Sequence, residues 1–414
     1  MMDIDKIKQR ILDLAIRGKL VAQDPNDEPA SVLIEKIKAE KEKMIKEGKI
    51  KPSKDDSYIY KASDNCYYEK IPNGWTLVKL KEVISLKSGM DLTLSEINTN
   101  SDGIPYLTGA SCFVDDGLLV NRWTNIPKTI SHKNDLLITV KGTIGELAFN
   151  NIGEIHIARQ IMSLTINKEI EPQFIFFYLL VNKEKIIQKN ASLIPGIKRD
   201  DILNLVIALP PKEEQKRIIL KINELLNIVK KISNELKAVR DLTFAIKRKT
   251  LDYFFGDNSS YKSYYPNYQI KDLCKLDKSD VLKQGLYPYL EAKVIRSKKT
   301  PEYIQKGGFI KKGTKIILVD GENSGEVMIA PCDGYLGSTF RILNANEKIN
   351  DEYLMWFIEY YKKSLKSNRT GSAVPHLNKK IFYELKIPLP PINIQEVVVN
   401  KIANFFNQLD IIIS

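Results

Sequence analysis

Between Lys212 and Phe255 the apolar positions fall at alternating steps of four and three: Ile218, Ile222, Leu225, Val229, Ile232, Leu236 and Val239, with Thr243 and Ile246 keeping the count. Such steps place every one of these side chains on a single stripe of an α-helix, a heptad seam. Pro210 and Pro211 stand just before the run, where a missing N–H is harmless, and Gly256 with Asp257 ends it. The pattern predicts one helix of ~44 residues, about 66 Å long at ~1.5 Å per residue. A helix longer than a compact domain is wide requires a neighbour of similar length.

The chain carries that neighbour in two pieces. Val398, Ile402, Phe405, Leu409 and Ile412 repeat the rhythm 180 positions on (398 − 218), again behind a double proline, Pro390 and Pro391. Ile4, Ile7, Ile11 and Leu14 match Thr243, Ile246, Thr250 and Tyr253 at one constant shift of 239 (243 − 4), with Lys8 falling on Lys247 and Asp13 on Asp252. The sequence therefore reads as a two-fold repeat cut open inside one of its helices. Two antiparallel long helices are expected, one continuous and one assembled from both ends of the chain, with those ends close together.

The remaining pattern predicts two strand-rich domains. Ser31 to Glu47 reads as a helix capped by Ser31, with Leu33, Ile34, Ile37, Met44 and Ile45 as a thin apolar stripe, and Lys49 to Asn65 as a linker. Strands are expected at Leu80 to Leu86, Ile104 to Leu107, Asp135 to Val140, Ile155 to Ile166 and Leu205 to Leu209, with a helix at Pro172 to Asn182 and a basic loop at Ile194 to Asp201. After a second linker, Gly256 to Asn267, the plan returns. Pro288-Tyr289-Leu290 echoes Pro105-Tyr106-Leu107, Lys315 to Val319 echoes Leu136 to Val140, Asp351 to Lys363 echoes the helix, and Val374 to Ile381 echoes the loop. Gly325-Glu326 stands 180 positions after Gly145-Glu146 (325 − 145), each in a glycine turn. The expected fold class is α+β, divided into an N-terminal helical segment 1–50, a first domain 51–211, the central helix 212–257, a second domain 258–391 and a C-terminal helix 392–414.

Composition narrows the setting. The 414 residues are 43% hydrophobic and 9% aromatic, ordinary for a water-soluble chain. Cys66, Cys112, Cys274 and Cys332 lie far apart without paired spacing, which fits neither a zinc knuckle nor a disulfide framework and suits a reducing cytoplasm. No apolar run reaches the ~18 residues of a membrane span. The net charge of +12, with a pI near 9.1, points to a polyanionic partner.

The line IPGIKRDDILNLVIALPPKEEQKRIILKI, Ile194 to Ile222, and its second copy VPHLNKKIFYELKIPLPPINIQEVVVNKI, Val374 to Ile402, resemble the end of a target-recognition domain and the start of a long helix in the specificity subunits of Type I restriction-modification enzymes. The N-terminal GKLVAQDPNDEPASVLIEKIKAEKEKMIKEGKI is similar as well, so the likeness covers nearly the whole chain. One departure stands in the paired LPP-x-x-x-Q motif: Glu214-Gln215 in the first copy becomes Ile394-Gln395 in the second, removing an acid from the helix's first turn. The resemblance implies two similar target-recognition domains separated by a long antiparallel coiled coil with pseudo-two-fold symmetry. It implies a non-catalytic subunit that reads a bipartite duplex DNA target and docks two methyltransferase subunits and, through the complex, restriction and translocase subunits.

No catalytic, cofactor or metal constellation emerges from the residues. Gly142-Thr143-Ile144-Gly145 lacks the lysine of a phosphate-cradling loop, and the Leu-Pro-Pro corners lack the flanking groups of an amino-methyltransferase. Asp320 and Glu322 lie in a glycine turn whose counterpart, Lys141 and Thr143, is not acidic. His132, His156 and His376 are scattered; His156 reads as a strand residue facing solvent or making a core hydrogen bond. Candidate DNA contacts are the basic and amide residues in the echoing turns: Lys141, Thr143, Arg159, Gln160, Lys198 and Arg199 in the first domain, and Arg341, Arg369, His376, Asn378, Lys379 and Lys380 in the second. Each could equally be a solvated charge or a loop-stabilising group. A rival reading, a structural adaptor whose repeated domains bind proteins, is separated by salt-sensitive DNA binding. A self-contained restriction enzyme would need a catalytic motif that the chain does not display.

Overall fold

The computed structural model describes residues 3–48, 71–114, 117–188, 196–279, 281–371 and 375–413. The expected linker at Lys49 to Asn65 lies outside them. The chain divides into two compact units, Met2–Ser233 and Asn234–Ser414, and the division falls inside one helix, Lys212–Phe255.

The first unit holds helices α1 (Ile4–Ile16) and α2 (Ala30–Lys46), then strands β1 (Thr76–Lys79), β2 (Ile84–Ser88), β3 (Ile104–Leu107), β4 (Trp123–Thr124) and β5 (Ile130–Ser131). After these come β6 (Leu136–Thr139), β7 (Leu147–Phe149), β8 (Ile155–Ile157), β9 (Ile161–Ile166), helix α3 (Pro172–Gln188), β10 (Val206–Leu209) and the first part of α4 (Lys212–Phe255). An inner sheet runs in the order β2-β9-β6-β7, a second in the order β4-β3-β8-β5, and β1 pairs antiparallel with β10. The core joins this frame to the helices: Leu12 and Ile16 of α1, Ile34 and Ile37 of α2, Phe174 and Ile175 of α3, and Ile218 and Ile222 of α4 belong to one buried cluster.

The second unit holds the rest of α4, then β11 (Asn267–Gln269), β12 (Cys274–Asp277), β13 (Leu282–Leu290), β14 (Tyr303–Ile310), β15 (Lys315–Leu318), β16 (Val327–Ile329), β17 (Gly334–Leu336) and β18 (Phe340–Ala345). Helix α5 (Asp351–Ser367), strand β19 (Lys386–Pro388) and helix α6 (Ile392–Ile413) complete it. The inner sheet, β12-β18-β15-β16, has the plan of its counterpart, and β11 pairs with β19 as β1 does with β10. Its core repeats the scheme, with Leu251 and Phe255 of α4, Tyr353 and Phe357 of α5, and Val398 and Ile402 of α6. The shift of 239 that relates the two helical segments carries buried Leu12 and Ile16 onto buried Leu251 and Phe255 (251 − 12). The units differ outside this frame. Where the first has its β4-β3-β8-β5 sheet, the second has a small closed barrel of β13, β14 and β17.

Local structure departs from the sequence expectations in several places. α2 begins at Ala30 and has no side-chain cap, so Ser31 is inside the first turn rather than the capping residue; the Ala30 N–H is satisfied by the Gly74 carbonyl at 2.8 Å. The strand expected at Leu80 to Leu86 opens with a helical turn, Leu80–Val83, because Leu80 and Val83 are both buried at a helical spacing. Ile155 to Ile166 splits at Ala158 and becomes β8 and β9, which join different sheets. The loops expected at Ile194 to Asp201 and Val374 to Ile381 begin outside the described residues, and their described parts, from Gly196 and Pro375, run into helical turns, Arg199–Leu203 and Lys379–Glu384. The second linker contains a turn of helix, Ser260–Tyr264, capped by the Ser259 hydroxyl accepting from the Tyr261 N–H.

The seam positions vary in burial. Ile218, Ile222 and Val229 are buried, Leu225 and Leu236 half-buried, and Ile232 and Val239 exposed. Ile11, Val398, Ile402 and Leu409 are buried, Ile4, Ile7 and Leu14 half-buried, and Phe405 and Ile412 exposed. On α6 the ring facing the core is Phe406 rather than Phe405; it meets Trp356 edge-on at 5.1 Å and lies beneath Lys247 Nζ at 5.0 Å.

Candidate nucleic-acid interface

The candidate turns of each unit are laced together by main-chain hydrogen bonds. In the first, Val140 N–H donates to the Gln160 carbonyl at 2.8 Å, and the Val140 carbonyl accepts from Ile197 N–H at 3.0 Å. In the second, Val319 N–H donates to Thr339 O at 2.8 Å, and Val319 O accepts from Leu377 N–H at 2.8 Å. Three segments distant in sequence thereby lie side by side: the turn after β6 or β15, the turn before β9 or β18, and the approach to a short helix. Gly145 (φ +79°) and Gly325 (φ +95°) close the first turn by donating to Thr139 O and Leu318 O at 2.8 and 2.7 Å. Their left-handed backbone favours glycine.

The frame carries different side chains in its two copies. Lys141 stands where the second unit has Asp320 (320 − 141 = 179), and Lys198 where it has Asn378 (378 − 198 = 180). Lys141, Gly142 and Thr143 are exposed, and Thr139 Oγ1 donates to the Thr143 carbonyl at 2.7 Å, tightening the turn. Arg159 is 65% exposed and pairs with Asp91 at 2.7 Å. Gln160 is half-buried, and its Oε1 has no partner among the described residues. Lys198 is exposed at the start of the helical turn, while the neighbouring Arg199 spends its guanidinium on the Leu86 carbonyl at 3.0 Å and Ser88 Oγ at 3.2 Å.

In the second unit several candidates hold the frame itself. Arg341 donates to the Ser338 and Phe340 carbonyls at 3.0 and 2.6 Å, and Arg369 to the Lys366 and Glu322 carbonyls. Asn378 caps its helical turn, accepting from the Ile381 N–H at 3.3 Å. His376 Nδ1 meets Asp320 Oδ1 at 2.6 Å, with half of the ring exposed. Lys379 and Lys380 are exposed. Among the described residues no group of three or more His, Cys, Asp or Glu is placed to hold a metal.

Three buried polar arrangements occupy corresponding positions in the two units. The glutamine of LPP-x-x-x-Q is buried in both copies. Gln215 Nε2 donates to the Pro210 carbonyl at 3.0 Å and Gln395 Nε2 to the Pro390 carbonyl at 2.8 Å, while their oxygens accept from Glu171 N–H and Asn350 N–H at the head of α3 and α5. A tyrosine from each of these helices, Tyr178 or Tyr353, donates to a carbonyl of the strand before the prolines, Val206 or Pro388. The rings of His156 and Tyr335 (335 − 156 = 179) are both buried, at corresponding positions of the two units.

His156 makes a core hydrogen bond rather than facing solvent. Nε2 lies 2.9 Å from the Met90 carbonyl, and Nδ1 lies 2.9 Å from the Thr129 carbonyl and 3.1 Å from the Thr129 N–H, so both ring nitrogens are engaged by main chain. Burial holds its pKa below the usual imidazole value, against the pull of the nearby Met90 and Thr129 carbonyls. Glu214, beside Gln215, is also buried and is no surface contact with the helix dipole. Desolvation raises its pKa, and the neighbouring Trp75 indole and Arg217 guanidinium offset this only in part.

A family model described as the Type I restriction modification DNA specificity domain matches residues 72–238 and 263–413. The chain is 29% identical over 237 residues to the Type I restriction enzyme EcoEI specificity subunit of Escherichia coli, covering 52% of this chain and 38% of that one. Against the EcoDI specificity subunit of Escherichia coli the identity is 23% over 392 residues, with 83% and 84% covered. The chain thus spans less than half the length of the EcoEI relative but most of the EcoDI one. A solved chain from work on complex assembly and conformational transition of the type I R-M system superposes with a TM-score of 0.67 at 19% identity, covering 83% of this chain and 93% of that chain. The HsdS subunit from Thermoanaerobacter tengcongensis gives 0.52 at 18%, covering 82% and 91%. At these identities the likeness is one of fold. With the matched segments taking in both copies of the laced frame, the chain belongs to the Type I restriction modification DNA specificity domain family.

Proposed function

We propose that this protein is the non-catalytic DNA-reading subunit of a Type I restriction-modification complex working in the cytoplasm. Each unit reads one half of a split duplex target, and the unbroken helix α4, to which both units contribute residues, sets the spacing of the halves. Two methyltransferase subunits dock on the helical parts and link the protein to restriction and translocase subunits. The observation that carries this reading is one main-chain frame present twice with different side chains at matching positions, Lys141 against Asp320 and Lys198 against Asn378. A duplicated scaffold with divergent exposed chemistry suits two different half-sites read along one polyanion, and the net charge of +12 has the sign that phosphates require. No described helix is long and apolar enough to cross a membrane.

The test is duplex binding by the full chain copurified with its modification subunits. Retention should fall steeply with salt, with a slope reporting several phosphate contacts, and the methylated sites should form a motif in two parts. Binding that ignores salt, or a single undivided motif, would count against the proposal, the former in favour of a protein-binding adaptor. Lys141→Ala with Lys198→Ala should flatten the slope by about one per lost phosphate contact.

A further inference from the structure

We propose that the antiparallel ribbon of β13 and β14 enters a groove of duplex DNA and that Gln284 and Lys306 on it meet base edges, an assignment that rests on the DNA-reading function above. The two residues are cross-strand partners in the ribbon. Both are exposed, and neither side chain has a hydrogen-bond or ion-pair partner among the described residues. A glutamine amide matches the N6/N7 edge of adenine and a lysine the O6/N7 edge of guanine, and a two-stranded ribbon fits the ~12 Å major groove. Residues paired across an antiparallel ladder lie ~5 Å apart, close enough to address neighbouring base pairs.

The ribbon is built to hold its shape without covering that pair. Its register breaks between Gln284 and Tyr287, at Gly285 with φ +138°. The buried Tyr335 hydroxyl lies 2.7 Å from the Gly285 carbonyl, to which it donates, and 3.0 and 3.1 Å from the carbonyls of Lys283 and Gln305. That contact fastens the bulge. Lys283 Nζ lies over the Phe309 and Tyr287 rings at 4.0 and 4.5 Å.

Its surface matches a nucleic acid better than bulk solvent. Leu282, Leu286 and Tyr303 are 85%, 66% and 57% exposed, apolar groups available to thymine methyls and sugar faces. Residues 281–306 carry six basic side chains, Lys283, Lys293, Arg296, Lys298, Lys299 and Lys306, against two acids, Glu291 and Glu302. The first unit has no equivalent among its described residues: the corresponding β3 is four residues long and pairs with the two-residue β4. The ribbon would thus give the second half-site a reader of its own.

The experiment maps the methylated motif, and duplex binding at fixed salt, for the full chain with its modification subunits, comparing wild type with Gln284→Ala, Lys306→Ala and Gln284→Glu. Both positions are exposed, and unchanged thermal unfolding verifies that the variants fold. The expected result is about tenfold or greater loss of discrimination at one or two base pairs in one half of the motif, with the other half retained, and a shift toward cytosine in Gln284→Glu. Folded variants with both half-motifs as in the wild type would overturn the ribbon assignment while leaving the subunit reading intact. Wild-type complex that fails to hold duplex DNA at all would overturn both.

Discussion

The side-chain oxygen of Gln215 accepts a hydrogen bond from the backbone N–H of Glu171 at 2.9 Å, joining the first turn of α4 to the residue just ahead of α3. The same amide donates to the Pro210 carbonyl, so one buried side chain satisfies two main-chain groups that helix geometry and proline leave without partners. Gln215→Ala should destabilise the first unit by about 1–3 kcal/mol, the penalty for buried groups stranded without water. Gln395→Ala should do the same to the second, through Asn350 and Pro390. Urea unfolding of each variant measures it, and a loss below about 0.5 kcal/mol in both would show that the bridge does not bind strand, corner and helix together.

His156 predicts an acid-side weakness. The folded state holds the imidazole below its ordinary value of 6.5, so the unfolded chain binds more protons as pH falls past that value. The neutral ring's contribution is complete above about pH 6.5 and diminishes on acidification toward the depressed folded value. A His156→Gln variant should be less stable at pH 8 by about 1–3 kcal/mol and should lack this part of the pH slope. Chemical unfolding at several pH values, wild type against variant, makes the comparison, and parallel curves would refute it.

Glu214 carries the opposite sign. Its folded pKa is raised, so the protonated carboxyl is favoured in the fold, and the contribution present below about pH 4.5 is lost as pH rises through the raised value. Glu214→Ile, the residue type found at the matching position Ile394, should therefore stabilise the protein near neutral pH by about 1 kcal/mol. The gain should shrink on acidification. A variant less stable at pH 7.5 than the wild type would show that the carboxylate is held by more than its surroundings suggest.

Removing four residues from α4 between Leu225 and Val239 should shorten the gap between half-sites. Four residues are about 6 Å of helix, on the order of two base-pair steps. Methylome mapping of the deletion variant reads the spacer length directly. An unchanged spacer would deny α4 its part in setting the distance.

Much of the helical plan was legible because its period is local: Ile218, Ile222, Val398 and Ile402 announce themselves by spacing, and all four are buried. Spacing could not distinguish Phe405 from Phe406, since the choice depends on where Trp356 and Lys247 lie. The candidate turns could be located because glycines and echoes mark them. Their side-chain roles could not, since Arg199 and Arg341 turn back onto carbonyls fixed only by the fold. The exposed ribbon pair went unnoticed for a related reason. Gln284 and Lys306 are twenty-two positions apart (306 − 284), and only strand pairing makes them neighbours.

The bonds that lace Val140 to Gln160 and Ile197, and Val319 to Thr339 and Leu377, run from amide to carbonyl and involve no side chain. A mutation that swaps one exposed group for another at Lys141 or Lys198 therefore leaves the architecture undisturbed. Side-chain chemistry and stability are thereby decoupled at these points, so that, under the proposed function, drift there can change which bases are preferred without first risking collapse. One copy of the frame can thus diverge at its exposed positions while its twin keeps its own.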